Sequence, residues 1–253
     1  MLIDAHINIT HNGKWFNTNY NASVERLMDE MSQSAIQQCL LISMPFATTN
    51  QFVASIIEKH PDMFRGLGHI DFSINLNTQI EEVLTMGFSG IKIHPRMQGV
   101  NCNSNELTRF FTKLNELGTV VMIDGYFQTN NDRILLEDLQ PFKYDALVKK
   151  YKNIKFIFSH LGAHRVFDAY FLAKSNENVY LDNSHVLKYF ANTSLIADYC
   201  WVMDKLDEKI IYGSDFPEYG LTDYLDTFDK LAGSNKDIRK ELIMSNITKL
   251  IKF

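Results

Sequence analysis

Gly90-Ile91-Lys92-Ile93-His94 reads as a short strand, apolar on one face and charged on the other. Side chains alternate between the two faces of a strand, so Lys92 and His94 point one way and Ile93 the other. The chain opens with the same construction. In Leu2-Ile3-Asp4-Ala5-His6-Ile7-Asn8, strict alternation places Asp4, His6 and Asn8 on one face, with Ala5 and Ile7 on the other. Six further runs rich in Ile, Val and Leu have the length and composition of strands buried on both faces. They are Cys39–Met44, Arg65–Ile70, Val120–Asp124, Ile154–His160, Val179–Asp182 and Ile210–Ser214. With Leu2–Ile7 and Gly90–His94 they make eight.

Between the strands the apolar period becomes helical. Val24, Leu27, Met28 and Met31 share one helical face; so do Leu107, Phe110, Phe111, Leu114 and Leu117, and likewise Leu221, Tyr224, Leu225, Phe228 and Leu231. Asn103 and Glu106 have the spacing of a capping box ahead of the second of these helices. A last helix is expected around Ile238–Leu250. Eight strand–helix units in 253 residues suit one closed parallel barrel. An open doubly wound sheet would carry a Gly-rich phosphate turn after its first strand, and Asn8-Ile9-Thr10-His11 is not one. No Pro/Gly/Ser-rich linker divides the chain. The expected fold is α/β: a single (βα)8 TIM barrel over residues 1–253 with a C-terminal helix.

The formal net charge is −5 and no Lys/Arg run stands out, which argues against nucleic-acid binding. The N-terminus turns polar at Asp4, unlike a signal peptide, and no apolar run approaches the roughly 20 residues a membrane span needs. Cys39, Cys102 and Cys200 are scattered, without Cys-x-x-Cys spacing, and read as reduced thiols of a cytoplasmic protein. The expected partner is a small-molecule substrate. Two loops, Asn8–Ala22 and Gly125–Gln140, exceed the usual length; the first carries Trp15 and Phe16, which suit a lid over the barrel mouth or a homodimer contact.

The informative feature is what ends the strands. His6, His94, His160 and Asp215 are expected to converge at the C-terminal mouth, where barrels of this kind assemble their chemistry. Lys92 and Asp124 join them, with Asp182 and Ser184 ending the seventh strand. Burying so many ionisable groups at one end is costly unless they pair or hold a metal. Imidazoles and carboxylates around one point suit a zinc-type site, with a carboxylate beside it as general base. Simpler roles exist for some of them. His69 and Asp71 suit loop hydrogen bonds, and Lys92 suits an ion pair with Asp124 or Asp215. His11, His60, His164 and His185 are weaker candidates, with His60 expected to be exposed.

Five motifs occur in order: Ile3-Asp4-Ala5-His6, Gly90-Ile91-Lys92-Ile93-His94-Pro95, Phe158-Ser159-His160-Leu161-Gly162, Val179-Tyr180-Leu181-Asp182-Asn183-Ser184 and Tyr212-Gly213-Ser214-Asp215-Phe216-Pro217. Together, with Asn246 near the end, they resemble the amidohydrolase-2 branch of the amidohydrolase superfamily, the branch of aminocarboxymuconate-semialdehyde decarboxylase, along nearly the whole chain. The resemblance implies a barrel hydrolase or lyase acting on small carboxylated or cyclic molecules, often with one divalent metal. It also implies that His6 is a strand-one ligand, His160 the strand-six histidine and Asp215 the strand-eight aspartate. Two positions depart from the family pattern. Asn8 and Asp124 stand where histidines are usual, and an amide oxygen is a poorer zinc ligand than imidazole.

The expected metal set is therefore His6, Asp124, His160 and Asp215 around one divalent ion, zinc by preference; a metal-free site is the alternative. Asp215 and His160 are the expected catalytic pair, as general base and carbonyl polariser. Asn8, Lys92, His94 and Arg96 are the expected substrate-binding residues, with Arg96 suited to a carboxylate. The reaction expected first is hydrolysis of a C–O or C–N bond in a small anionic lactone, ester or amide. Decarboxylation on the same scaffold and non-catalytic ligand binding are the alternatives.

Overall fold

The computed structural model describes residues 2–128, 131–234 and 239–253. Its strands are β1 (Leu2–Asn8), β2 (Ile36–Ile42), β3 (Phe64–Gly68), β4 (Gly90–Ile93), β5 (Val120–Ile123), β6 (Lys155–Phe158), β7 (Val179–Asp182) and β8 (Ile210–Ile211). Its helices are α1 (Val24–Gln33), α2 (Asn50–Lys59), α3 (Leu76–Thr85), α4 (Pro95–Gln98), α5 (Asn105–Leu117), α6 (Asp145–Lys150), α7 (Val166–Ser175), α8 (Val186–Tyr189), α9 (Leu195–Lys205), α10 (Leu221–Ser234) and α11 (Lys240–Ser245). Each strand runs parallel to the next, in chain order from β1 to β8. The ring is drawn together by backbone bonds from Ala5 N to Tyr212 O (2.9 Å), Asn8 N to Phe216 O (2.8 Å) and Asp215 N to His6 O (3.1 Å). The architecture is the expected TIM barrel.

Alternation along the strands builds two cores. Ile3, Leu40, Ile42, Leu67, Val120, Met122, Ile157 and Ile211 fill the barrel interior. Between them in sequence, Leu41, Ile91, Ile93, Val121, Ile123, Phe156 and Phe158 pack under the helices. The C-terminal segment plugs the interior: Ile247 and Ile251 join the inner cluster. Asn246 fixes that segment by donating from Nδ2 to the carbonyls of Asp207 and Ile210, both at 2.6 Å. The terminal helix is shorter than expected, with α11 followed by a 3-10 turn over Asn246–Lys249. Ile238, its expected start, lies outside the described residues.

Three local readings need correction. The N-cap of α5 is Ser104, whose side chain accepts from Leu107 N; Asn103 instead bonds back to Asn101. Several strands end earlier than expected, β6 at Phe158 and β8 at Ile211. The third correction reaches the site. In β1, Asp4 pairs with Cys39 and Ile7 with Leu41, so Ala5 and His6 together face the single residue Leu40. This is a β-bulge, and it breaks the alternation. Ala5 joins the inner cluster, while Ile7 packs under the helices. Asp4 shares no face with His6; its charge is felt by Cys39 and Tyr212, both in the helix-side core.

Candidate active site

Seven of the expected site residues line one cavity of about 530 Å³: Asn8, Lys92, His94, Arg96, Asp124, His160 and Asp215. The eighth, His6, is buried against Lys92. The long first loop reaches over this cavity as expected, contributing Trp15, Phe16 and Thr18, and the loop after β5 adds Tyr126 and Gln128. Part of the second loop, residues 129 and 130, lies outside the described residues.

The strand ends deliver Lys92, His94 and Asp124 by simple alternation, each in step with an inward neighbour such as Met122. The remaining groups arrive differently. Phe156 and Phe158 face the helices, so alternation alone would turn His160 the same way. His160 instead has φ 61°, and this left-handed backbone swings it to the mouth. His185 (φ 67°) and Asp215 (φ 69°) are placed likewise. Left-handed backbone costs a non-glycine residue on the order of 1–3 kcal/mol and gathers at functional sites. Gly213 is needed for close approach, since a Cβ there would meet His6 Cβ at 2.6 Å.

The floor of the site is a connected polar network. His6 Nδ1 lies 3.0 Å from Asp182 Oδ2 and 2.9 Å from Ser184 Oγ. An ionised Asp182 only accepts, so the His6 proton sits on Nδ1 and Nε2 is left as a lone pair. Lys92 Nζ donates to that lone pair at 2.7 Å. Burial, and then the nearby Lys92 charge, hold the His6 pKa below its ordinary value. Asp182 also accepts from the backbone of His160 and Ser184, each at 3.0 Å, and from the Ser184 hydroxyl. It is the part of the floor that orients both histidines. His6 and His160 stack with ring centres 5.1 Å apart.

Charges around the cavity are paired. Burial opposes ionisation of Asp124, but the Arg96 guanidinium at 2.5 Å and the His160 ring outweigh it and hold the carboxyl well below the usual range. Burial likewise works against the His160 imidazolium, and the Asp124, Asp215 and Asp182 carboxylates outweigh it, so its pKa rises. Asp215 is depressed in the same manner, with His185, His6 and His160 overcoming burial. One Asp215 oxygen lies 3.4 Å from both His6 Nε2 and Asn8 Nδ2; the other lies 3.3 Å from His185 Nδ1. Burial lowers the Lys92 pKa against the pull of Asp124, Asp215 and Asp182.

His94 stands outside these pairs. Both ring nitrogens are buried and have no partner among the described residues. Burial, then the Lys92 charge, push its pKa well below the ordinary value, leaving the ring neutral. An unpaired buried polar group costs about 1–3 kcal/mol, so a ligand that hydrogen-bonds it recovers that energy.

Of the weaker candidates only His185 lines this cavity; the polar end of β3 lies apart. His69 Nδ1 bonds Ser43 Oγ, Asp71 holds Ser73 and Gln79, and both line a separate cavity. His60 is half-buried against Phe64 instead of exposed. His185 belongs to the site, stacked on Tyr189 with Tyr126 at its edge, and Glu218 lies 3.7 Å from its Nδ1. The signal for His185 was its place beside Ser184, at the end of a motif; Glu218 and Tyr126 carry no sequence pattern that sets them apart.

His6, His160 and Asp215 bring one ligand atom each within 4.8 Å of one another, which is the spacing a metal site requires. Two of those atoms, and one oxygen of Asp124, already face N–H donors of the chain. Lys92 holds His6 Nε2, Asn8 donates to Asp215 Oδ1, and Arg96 occupies Asp124 Oδ2. As these side chains stand, a metal ion on the expected four-ligand set would have to displace Lys92 and Arg96.

The family model described as Amidohydrolase matches residues 3–253. The chain belongs to the amidohydrolase family. Among solved structures, this amidohydrolase is similar to an uncharacterized TIM-barrel protein from Bordetella bronchiseptica, at 18% identity and TM-score 0.82, covering 98% of this chain and 97% of the other. It is similar to a probable 2-pyrone-4,6-dicarboxylic acid hydrolase from Acinetobacter baumannii with citric acid bound, at 16% identity and TM-score 0.75, covering 100% and 99%. It is also similar to a 5-carboxyvanillate decarboxylase from Novosphingobium aromaticivorans with bound manganese, at 14% identity and TM-score 0.73, covering 100% and 97%. No curated protein matches. Both hydrolases and decarboxylases therefore share this scaffold. No helix among the described residues is long and apolar enough to cross a membrane.

Proposed function

We propose that this amidohydrolase hydrolyses a lactone, ester or amide bond in a small molecule carrying at least one carboxylate. The observation that carries the reading is Asp215: an ionised carboxylate on the cavity wall, in a cavity also lined by Lys92, His94 and Arg96. Arg96 and Lys92 supply positive charge for the substrate carboxylate, and a guanidinium suits it because its donors can bind both oxygens. The neutral His94 supplies a hydrogen bond to a second polar group. Trp15, Phe16 and Tyr126 cover the apolar part of the ligand.

Water held by Asp215 attacks the carbonyl carbon while Asp215 takes its proton. The negative charge that develops on the carbonyl oxygen falls to His160, whose Nε2 contact with Asp124 is loose at 3.4 Å. The proton then passes from Asp215 to the departing oxygen or nitrogen as the bond breaks. Without substrate Asp215 is a weak base because its neighbours hold its pKa down. An anionic substrate held beside Lys92 and Arg96 brings negative charge close to Asp215 and raises its pKa, so binding itself prepares the base. Zinc on His6, Asp124, His160 and Asp215 is the competing arrangement; it requires Lys92 and Arg96 to withdraw.

The test is a panel of carboxylated lactones, esters and amides together with aromatic carboxylates, followed by proton release and headspace carbon dioxide. Ring or ester opening without carbon dioxide supports hydrolysis. Carbon dioxide release replaces it with decarboxylation, and saturable binding without turnover replaces it with a non-catalytic role.

A further inference from the structure

The floor of the site holds a cation of its own. Lys92 leaves β4 fully buried, with 2% of its surface exposed, and its amine lies 2.7 Å from His6 Nε2. That nitrogen is also the only His6 atom a metal could use, because Nδ1 is committed to Asp182 and Ser184. One lone pair serves either an N–H donor or a metal ion. Carboxylates surround the ammonium as well. Asp124 is held by Arg96, and Asp182 and Asp215 each lie against the His6 ring. A dication added here would stand beside a buried ammonium and repel it strongly, since two charges in a poorly solvated pocket interact far more than in water.

We propose that the Lys92 ammonium is the resident cation of this site, occupying His6 Nε2 in place of a divalent metal, so that metal binds only by displacing it. Asn8 supports the same arrangement. Its amide nitrogen donates to Asp215 Oδ1 and to the Phe216 carbonyl at 3.2 Å, covering the ligand atom next to His6. Donors of the chain thus stand at two of the atoms a metal would use. Lys92 stays in place to face substrate charge directly. The inference concerns cation occupancy, so it is independent of which reaction the site performs.

The test compares wild type, Lys92→Met and Lys92→Met/His6→Ala. Each is titrated with zinc chloride and with manganese chloride by calorimetry, and metal retained after gel filtration is measured by elemental mass spectrometry. Removing the ammonium uncovers His6 Nε2, so Lys92→Met is expected to bind one equivalent at least about tenfold more tightly than wild type, a change of about 1.4 kcal/mol. The added His6→Ala change is expected to abolish that gain. Wild type that binds one equivalent as tightly as Lys92→Met overturns the proposal, and so does a folded Lys92→Met that gains no affinity. A second measurement needs no variant at Lys92. Wild type labelled with 15N-histidine is titrated with zinc, with the His6 signal assigned from His6→Gln. An Nε2 resonance that stays put at several-fold excess supports the proposal; a shift to a metal-bound position contradicts it.

Discussion

Arg96 Nε donates to Asp124 Oδ2 across 2.5 Å, joining the first turn of α4 to the end of β5. The guanidinium also lies over the Tyr126 ring, 5.1 Å from its centre. Asp124 is almost wholly buried, whereas Arg96 keeps about a fifth of its side chain exposed (22%) and lines the cavity. The pair therefore fixes a cation at the mouth of the cavity.

Arg96→Met removes that cation and strands a buried carboxylate. For an anionic substrate kcat/KM is expected to fall about 10- to 100-fold, mainly through KM, because a charge-assisted bond to substrate is lost. A neutral analogue should lose much less. Arg96→Met should also be destabilised by about 3 kcal/mol, with part of that recovered in Arg96→Met/Asp124→Asn. Steady-state kinetics and urea unfolding of the three variants check both halves. Equal losses for charged and neutral substrates would remove Arg96 from substrate binding.

Asp4 links the β1 bulge to stability. Its Oδ1 accepts from His6 N and Ser214 N, each at 3.0 Å, while Oδ2 has no partner among the described residues. Burial raises its pKa from 3.8 to about 7, against the opposing effect of those bonds. A raised carboxyl stabilises the fold fully below about pH 4, and this contribution is lost as pH rises through about 7. The difference amounts to at most about 4 kcal/mol. Urea unfolding between pH 4 and 8 should show wild type losing stability relative to Asp4→Asn across that window. Other acids titrate alike in both proteins and cancel. Parallel curves would mean that Asp4 ionises normally.

Trp15 is 8% exposed and lines the cavity, whereas Trp201, the second tryptophan, is 42% exposed. In Trp201→Phe the remaining fluorescence reports on the site alone. Titration of that variant with citrate, a small polycarboxylate, should change the emission saturably, with weaker binding when Arg96→Met is added. Calorimetric binding without an emission change would place the ligand away from Trp15.

The strands and the chemistry at their ends were legible to different degrees. Alternation over two or three residues is a local property, so Ile93 against Lys92 and His94, and Met122 beside Asp124, could be assigned directly. The β1 bulge could not, because Ala5 and His6 carry no mark of facing one residue of β2. His160 illustrates the limit well. Its inward position was expected for the right place and the wrong reason, since strand parity points it outward and the left-handed backbone reverses that. His185 is hard to read from sequence for the same cause: no periodic rule reaches a residue past the end of β7. The partner of Lys92 was expected to be Asp124 or Asp215, and is His6, a choice set by packing across the barrel floor.

Asp215→Asn tests the central claim most directly. The amide keeps the shape of the side chain but takes no proton, so with any substrate identified from the carboxylated panel kcat is expected to fall by about 10²- to 10⁴-fold, the range of a lost general base. The variant should still unfold cooperatively, with a lowered midpoint because the paired carboxylate is gone, and citrate binding at Trp15 should persist. Turnover within a few-fold of wild type in a folded Asp215→Asn protein would contradict the assignment of Asp215 as the base.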